Sequence, residues 1–338
     1  MTTIRGGRLA SGESVDVHID DGALVDTAPI GGPVFDATEL TVAPGLVDLQ
    51  INGGFGHDFT YDPTTIWQVG ERLPELGVTA FVPTIVTSPD EVTDLAIDVV
   101  ANRKPVGYAG AQVLGLHFEG PWISTEMHGA HNPENIVAPD PQVARKWAES
   151  GLVRVVTLAP ESPGSDAVIE ILIGSGVKVS LGHTASTYET ARRAYDAGAT
   201  LATHLFNQMT PLSHREPGAV GAALLAARHC LVIVDGFHIA EAALEIAWQI
   251  LGRDRLILVT DAMAALGLGP GTYPLGDGPI TVGVEGPRTA DGRLAGSVVT
   301  LPRAVSNLVS TTSATLADAI ACATAGPAAA LGLVDRGN

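Results

Sequence analysis

Residues 176–205 read GVKVSLGHTASTYETARRAYDAGATLATHL and hold one unit of the predicted fold. The apolar run GVKVSLGH precedes an amphipathic helical pattern, and a second apolar run, ATLATHL, follows it. Residues 186–189, STYE, have capping-box spacing, which predicts that Ser186 caps the helix. Apolar runs that alternate with helices in this way are typical of βα units with a parallel sheet.

The same alternation continues through most of the chain after Pro44. We count eight apolar runs, spaced by about 23 to 41 residues, which suits a strand with its following helix. Eight such units predict an α/β fold with a TIM-like (β/α)8 barrel. The runs begin near residues 45, 77, 111, 152, 176, 199, 229 and 255.

The two ends of the chain have a different texture. Residues 1–41 contain short β-type runs separated by Gly, Asp and Pro, which favour small hairpins. We therefore expect a small β-sandwich domain over residues 1–44 and the barrel domain over residues 45–338. Within the barrel domain, residues 266–293 are rich in Gly and Pro and predict a hairpin, and residues 301–334 predict helices.

Composition and charge exclude several function classes. Of the 338 residues, 46% are hydrophobic and only 17% are charged, so the chain can bury a large core. The formal net charge of −18 opposes binding to nucleic acid or to an anionic membrane. Cys230 and Cys322 lie in apolar segments without CxxC spacing, which favours buried thiols in a reducing compartment. No signal-peptide core or membrane span is recognisable, so we expect a cytoplasmic protein.

Polar residues end several of the apolar runs, at the end of the barrel where enzymes place their active sites. Glu119, His183 and His204 end the third, fifth and sixth runs. One carboxylate and two imidazoles form a ligand set that binds a divalent ion and leaves a position for water. A single residue of this kind is more often structural, but the convergence of three on one barrel mouth favours a hydrolytic metal site.

Three further residues near the mouth suit a hydrolytic reaction. Asp261 ends the eighth run, where a carboxylate can accept a proton from water and pass it to a leaving amine. The alternatives for Asp261 are a further metal ligand or a helix cap. Arg215 and His238 follow the sixth and seventh runs and indicate an anion site in this acidic chain, with surface ion pairs as the alternative.

Six ordered motifs along the chain carry a family resemblance. They are APGLVDLQINGG (43–54), LGLHFEGPWIS with HGAH (114–131), SLGHT (180–184), ATHLFNQM with REPG (202–218), VDGFH (234–238) and LVTDAM (258–263). Together they resemble the N-acetylglucosamine-6-phosphate deacetylases of the amidohydrolase superfamily over nearly the whole chain. The combination is more specific than any one motif, because other amidohydrolases share the metal residues without the sugar-phosphate loops.

The resemblance implies a role for each matching residue. Glu119, His183 and His204 match the family's metal ligands. Asp261 matches the acid/base, and His131 matches the residue that stabilises the oxyanion. Phosphate contacts in the family can come from the neighbouring subunit, so a homodimer is implied. The implied substrate-binding positions are Ala130, His131, Asn207, Gln208, Arg215, Asp235, Gly236, Phe237, His238, Leu294, Ala295 and Gly296, with Arg215 and His238 at the phosphate.

Two departures from the wider pattern bear on the metal and on the small domain. Gln50 and Asn52 stand where much of the superfamily has two histidines for a second metal, so we expect one divalent ion per subunit. Zn²⁺ is expected first, with Fe²⁺ or another divalent ion as alternatives, and Gln50 and Asn52 are expected to support the ligands. The family normally continues past the position of Asn338 with strands that complete the N-terminal sandwich. We therefore expect that the sandwich lacks its return strands, either because it is reduced in this protein or because the chain is a shortened form.

These inferences lead to one expected reaction and its rivals. The expected reaction is hydrolysis of the N-acetyl group of N-acetyl-D-glucosamine 6-phosphate to D-glucosamine 6-phosphate and acetate, by metal-activated water with Asp261 as general base and acid. The nearest alternative is the same reaction on an epimer such as N-acetylgalactosamine 6-phosphate. More distant alternatives are an amidohydrolase of N-acyl amino acids or cyclic amides, and a non-catalytic sugar-phosphate sensor.

Overall fold

A small sheet formed by the first strands of the chain confirms the predicted N-terminal β layer. The structure, a computed structural model, describes residues 1–27, 31–276 and 278–333. The strands are β1 (Thr2–Arg8), β2 (Ser14–Asp20), β3 (Ala23–Val25) and β4 (Val34–Asp36), in the order β3-β2-β1-β4. β1 pairs antiparallel with β2 and parallel with β4. The domain boundary at residue 44 stays a prediction.

Each of the predicted apolar runs contains a strand of a second, parallel sheet. The strands after residue 45 are β5 (Leu46–Ile51), β6 (Gly53–Gly54), β7 (His57–Asp58), β8 (Val78–Val86), β9 (Gln112–Val113), β10 (Leu116–Glu119), β11 (Val153–Leu158), β12 (Lys178–Leu181), β13 (Leu201–Ala202), β14 (His229–Ile233) and β15 (Leu256–Val259). The sheet runs in chain order from β5 through β8 and β10 to β15, with β9 beside β8, while β6 and β7 form a separate pair.

Hydrogen bonds between the first and last strand regions close this sheet into a barrel. The Asp261 N–H donates to the Gln50 carbonyl at 2.8 Å, and the Asn52 N–H donates to the Ala262 carbonyl at 2.7 Å. Both bonds lie at the carboxyl ends of β5 and β15, which is the end where barrel enzymes carry their sites. The predicted barrel is therefore confirmed, and its first and last strands, β5 and β15, meet at the mouth.

Helices lie between the strands, as the alternation predicts, although the cap of one helix differs from the prediction. Thr187, not Ser186, caps α5 with its side chain, which accepts the Thr190 N–H. α2 begins after Pro89 without a side-chain cap. The helices are α1 (Ile66–Arg72), α2 (Asp90–Asn102), α3 (Pro141–Glu149), α4 (Ser165–Gly174), α5 (Tyr188–Asp196), α6 (Gly218–Ala226), α7 (Glu241–Arg255), α8 (Leu301–Thr311), α9 (Leu316–Ala321) and α10 (Ala325–Ala330). In the described part of the chain, no helix is both long and apolar enough to cross a membrane.

The predicted hairpin after the last barrel strand is also present. It consists of β16 (Gly271–Leu275), β17 (Gly278–Gly283) and β18 (Gly286–Arg288), paired antiparallel in that order. The predicted helical region that follows contains α8 to α10. Val334, the last residue of that region, and the end of the barrel domain at residues 334–338 lie outside the described residues.

A layer of buried hydroxyl groups and one histidine crosses the barrel interior beneath the mouth. His117 Nε2 lies 2.7 Å from Thr157 Oγ1, and His117 Nδ1 lies 3.1 Å from Thr84 Oγ1. Thr203 Oγ1 continues the chain of contacts at 2.6 Å from Thr157 Oγ1. His117 and Thr203 stand close in sequence to Glu119 and His204, so this layer supports the strands that carry two predicted metal ligands.

Candidate active site

Three predicted site residues have left-handed backbone conformations at the ends of barrel strands. The φ angle is 47° at His183, 28° at His204 and 47° at Asp261, a region that residues with a Cβ seldom adopt. Each such conformation costs about 1–3 kcal/mol and persists only where the surrounding packing holds it. Backbone strain of this kind clusters at active sites, and here it coincides with the residues that the sequence singles out.

Glu119, His183 and His204 meet in the barrel mouth as one buried cluster. The Nε2 atoms of His183 and His204 lie 3.2 and 3.0 Å from Oε1 of Glu119, and 3.0 Å from each other. Tetrahedral metal sites with bonds of about 2.0–2.2 Å place neighbouring ligand atoms about 3.3 Å apart. The three separations are therefore close to those that one shared divalent ion requires.

The protonation state of His183 also suits metal binding. His183 Nδ1 donates to the Met127 carbonyl at 2.8 Å, which leaves a lone pair on Nε2. Burial lowers the pKa of His183 and so favours the neutral ring that a metal ligand needs. Burial also opposes ionisation of Glu119, but its contacts with the His183 and His204 rings hold the pKa of its carboxyl well below the usual value.

Asp261 lies next to the cluster and is held by two side-chain amides, one within strand β5 and one directly after it. Asn52 Nδ2 donates to Asp261 Oδ1 at 2.8 Å, and Gln50 Nε2 donates to the same oxygen at 3.1 Å and to Glu119 Oε1 at 3.2 Å. Burial and the negative charge of Glu119 raise the pKa of Asp261 to about 6. An acid with this pKa can both accept and return a proton near neutral pH.

His131 presents one ring nitrogen to a fixed partner. The Thr87 N–H lies 3.3 Å from His131 Nδ1 and donates to it, and Thr87 Oγ1 lies 2.8 Å from the same atom. Burial and the neighbouring His183 hold the pKa of His131 well below its usual value. The ring is therefore neutral, and because Nδ1 accepts a hydrogen bond, its proton is on Nε2.

One pocket of about 320 Å³ connects these groups. Its volume falls within the range of small-molecule sites. The pocket is also lined by Arg288 and Arg293, which no sequence motif marks; the one sequence signal is that Arg293 directly precedes the predicted Leu294. The predicted residues that line it are Asn52, Glu119, Ala130, His131, His183, His204, Asn207, Gln208, His238, Asp261, Leu294, Ala295 and Gly296.

The other predicted residues lie behind or away from this lining. Asp235 supports the His238 turn: its Oδ2 lies 2.8 Å from His238 Nδ1, and its Oδ1 accepts the backbone N–H groups of Phe237 and His238. Burial opposes ionisation of Asp235, but its hydrogen bond to His238 keeps the pKa below the usual value. Gly236 lies within that turn. Arg215 is exposed in a loop outside the pocket lining of a single chain.

A comparison with protein families decides what this arrangement belongs to. The model of the amidohydrolase family matches residues 41–337. The chain belongs to the amidohydrolase family. It is therefore a hydrolytic enzyme, and the buried cluster of Glu119, His183 and His204 could hold the metal ion on which amidohydrolases typically depend.

Named relatives of this amidohydrolase cover most of its length. It is 36% identical to an N-acetylglucosamine-6-phosphate deacetylase from Lysinibacillus sphaericus, over 96% of this chain and 86% of the relative. It is 37% identical to an N-acetylgalactosamine-6-phosphate deacetylase from Escherichia coli O157:H7, over 98% of this chain and 89% of the relative. A mutant N-acetyl-D-glucosamine-6-phosphate deacetylase from Mycobacterium smegmatis, solved in complex with N-acetyl-D-glucosamine-6-phosphate, is similar at a TM-score of 0.86 and 34% identity, covering 98% of this chain and 89% of that one.

Proposed function

We propose that this amidohydrolase removes the N-acetyl group of N-acetyl-D-glucosamine 6-phosphate by hydrolysis, giving D-glucosamine 6-phosphate and acetate. The observation that carries the proposal is the cluster of Glu119, His183 and His204 beside Asp261 in one pocket. The names of the relatives support the sugar phosphate as substrate. A sugar-phosphate sensor would not need a metal cluster beside a carboxylate with a raised pKa.

The metal in this proposal is one divalent ion per subunit, held by Glu119, His183 and His204. Zn²⁺ suits two imidazoles and a carboxylate, and Fe²⁺ is the alternative. Such an ion, when bound, polarises the amide carbonyl and lowers the pKa of a water molecule. The side-chain amides of Gln50 and Asn52 donate to Glu119 or Asp261, which supports a positioning role for both residues.

Asp261 moves the proton in the proposed reaction. Its carboxylate accepts a proton as the water oxygen attacks the acetyl carbon, and it returns that proton to the sugar nitrogen as the C–N bond breaks. The sugar then leaves as an amine, and the acetyl group leaves as acetate. The hydrogen bonds from Asn52 and Gln50 to Oδ1 fix the carboxylate, so Oδ2 is the oxygen proposed to carry the proton.

His131 stabilises the negative charge that develops on the carbonyl oxygen. Its Nε2–H is free to donate because Thr87 occupies Nδ1. A donor that is fixed before the reaction stabilises the transition state more than the ground state, and loss of one such donor costs about 10²–10³ in kcat. The position of His131 in the pocket lining supports this role.

The phosphate is proposed to lie at the other end of the pocket, beside His238. Asp235 holds His238 Nδ1, so the Nε2 edge of the ring is available to a ligand. Arg215 is exposed and lies outside the pocket lining of its own chain, and we therefore propose a homodimer in which Arg215 of one subunit completes the partner's site. The buried free thiols of Cys230 and Cys322 support the expected cytoplasmic location.

A second candidate substrate is N-acetylgalactosamine 6-phosphate, because one of the relatives is named for that epimer. The two sugars differ only at one hydroxyl group, and both carry the N-acetyl group and the 6-phosphate on which the proposed contacts act.

The test is acetate release from a panel of N-acetylated hexosamine 6-phosphates, with the enzyme loaded with Zn²⁺ or Fe²⁺. We expect the glucosamine derivative to have the highest kcat/KM. A higher kcat/KM for the galactosamine derivative would establish the second candidate. Binding of the sugar phosphates without acetate release, by metal-loaded enzyme, would favour the sensor and overturn the proposal.

A further inference from the structure

A tight turn beyond the barrel brings two arginines to the pocket from the same chain. Arg288 ends β18 and pairs with Leu294 across the turn, and the Thr289 N–H donates to the Arg293 carbonyl at 2.9 Å. Arg288 and Arg293 therefore stand at the two ends of this turn, and both line the pocket that contains the metal cluster. Neither belongs to a motif that carries the family resemblance.

The hydrogen-bond donors of Arg293 are largely committed to the protein itself. Its Nε and Nη2 both donate to Oδ2 of Asp291, and its Nη1 donates to the Gly129 carbonyl at 2.8 Å. Gly129 lies in the loop that leads to His131. Arg293 thus joins the turn to the loop of the proposed oxyanion donor, and the charge of Asp291 offsets its own.

Arg288, by contrast, has donors to spare. Its Nη1 donates to the Gly292 carbonyl at 2.7 Å, whereas its buried Nε has no hydrogen-bond partner among the described residues. The nearest carboxylate, Glu285, lies 3.8 Å away and is 78% exposed, so it neutralises Arg288 only weakly. A buried donor of a charged group is costly to leave unpaired, and because Arg288 lines the pocket, an anion bound there would lie beside a guanidinium with donors not yet committed.

The strand of Arg288 also lies against the turn that carries His238. A Cβ built on Gly286 would lie 3.2 Å from the ring of Phe237, the residue before His238. Strand β18 and the His238 turn are therefore in close contact, and Arg288 and His238 line the same pocket. The chain carries a net charge of −18, so a phosphate dianion needs local cations to bind here.

We propose that Arg288 binds the phosphate group of the substrate from within the same subunit, and that Arg293 is a positioning residue that holds the turn in place. This inference rests on the proposed function, since it takes a sugar phosphate as the substrate. It adds a phosphate contact that does not depend on a second subunit. Arg288 then acts on substrate affinity, while Arg293 acts through the loop that carries His131.

The first test compares Arg288→Ala and Arg288→Lys with Arg303→Ala, an exposed arginine of α8 outside the pocket lining. We expect Arg288→Ala to lower kcat/KM for the phosphorylated sugar at least ~30-fold more than for unphosphorylated N-acetylglucosamine, mainly through KM. Arg288→Lys should lie between, because lysine keeps the charge and loses the planar pair of donors. Equal losses on the two sugars, or no loss, would overturn the proposal.

The second test separates Arg293 from Arg288. Arg293→Ala should lower kcat by a similar factor for both sugars, because it releases the loop of His131. A loss confined to the phosphorylated sugar would mean that Arg293 contacts the phosphate itself and would overturn its positioning role. The thermal unfolding temperature of each variant shows whether the fold is intact.

A third measurement keeps this inference apart from the proposed function. Affinities for inorganic phosphate and for D-glucosamine 6-phosphate are measured by calorimetry on the metal-loaded enzyme and on the Arg288 variants. We expect Arg288→Ala to weaken both affinities at least tenfold. If the wild-type enzyme releases no acetate, the proposed function is wrong. The role of Arg288 is tested separately: an affinity for phosphate that is unchanged in Arg288→Ala would refute it.

Discussion

The proposed metal end of this pocket, at Glu119, His183 and His204, and its proposed phosphate end, at Arg288, Arg293 and His238, are built in different ways. At the metal end, Glu119, His183 and His204 come from the ends of barrel strands and are at most 5% exposed. At the phosphate end, the arginine side chains of Arg288 and Arg293 come from a hairpin turn and are 37% and 45% exposed. The metal end is thus fixed by the sheet, whereas the phosphate end depends on loops meeting in space.

The difference predicts two kinds of functional loss. Residues of the metal end act on the bond that breaks, so their loss should affect every substrate with an N-acetyl group. Residues of the proposed phosphate end would bind a group remote from that bond, so the effect of their loss should depend on whether the substrate carries the phosphate. Variants on the two ends can therefore confirm or contradict the division.

The largest expected effect comes from removing a metal ligand. His204→Asn should reduce the bound metal well below one ion per chain and bring acetate release to the background of the assay, for phosphorylated and unphosphorylated sugars alike. Elemental analysis after dialysis, together with turnover, checks this. His214→Asn, at an exposed loop histidine, is the control and should keep one ion. Two tightly bound ions in the wild-type enzyme would contradict the single-ion site.

The next effect concerns proton transfer at Asp261. Asp261→Asn should lower kcat by about 10²–10⁴ while the metal stays bound, because the amide keeps its size but cannot accept a proton. The exposed Asp254→Asn is the control. In the wild-type enzyme, kcat/KM should rise with pH as the Asp261 carboxyl ionises. Its pKa is raised to about 6, and a bound cation would lower it again, so the rise in kcat/KM should lie at or below pH 6. Wild-type turnover in Asp261→Asn would remove this residue from the mechanism.

An intermediate effect tests whether the phosphate end crosses a subunit boundary. Arg215→Ala should weaken kcat/KM for the phosphorylated sugar by an amount on the order of 2–5 kcal/mol, since one partner of a charge pair is lost. Mixed dimers of Arg215→Ala and Asp261→Asn chains would then contain one intact site, so an equal mixture after subunit exchange should recover about a quarter of the wild-type activity. No recovery in mixed dimers would show that Arg215 does not act across the interface.

The smallest effect on turnover is expected beneath the metal end, at Asp48. This carboxyl group is fully buried, and burial raises its pKa to about 7 despite hydrogen bonds from Thr260. Because its pKa in the folded state exceeds that in the unfolded state, its contribution to stability is present at low pH and is lost as the pH rises through about 7. Asp48→Asn should therefore gain about 2–3 kcal/mol of unfolding free energy over the wild type between pH 5 and pH 8.

Chemical denaturation at the two pH values measures this gain. The exposed Asp254→Asn should show no such pH-dependent difference. The turnover of Asp48→Asn is compared with that of Asp254→Asn and of the wild type, and it should change little. A pH-independent difference for Asp48→Asn would mean that the carboxyl group ionises freely in the folded protein.

The sequence alone was enough to predict the barrel and the meeting of the three proposed metal ligands. The alternation of apolar strand-like runs with amphipathic helical stretches can be read from local sequence, and a residue at the end of an apolar run lies at the end of a strand. Glu119, His183, His204 and Asp261 could therefore be assigned to one mouth before any contact was known. Helix caps were less secure: Thr187 rather than Ser186 caps α5, because several neighbouring hydroxyl residues compete for the same role.

The tertiary structure decided the contacts between residues far apart in the chain. Gln50 and Asn52 hold Asp261 across more than 200 residues of sequence, which no local pattern encodes. Thr87 donates to Nδ1 of His131 and so places the ring proton on Nε2. Arg288 and Arg293 reach the pocket because the turn between them packs against the loops of Gly129 and Phe237. Strand ends are placed by repeating local rules, whereas loop residues are placed by the neighbours that the whole fold brings to them.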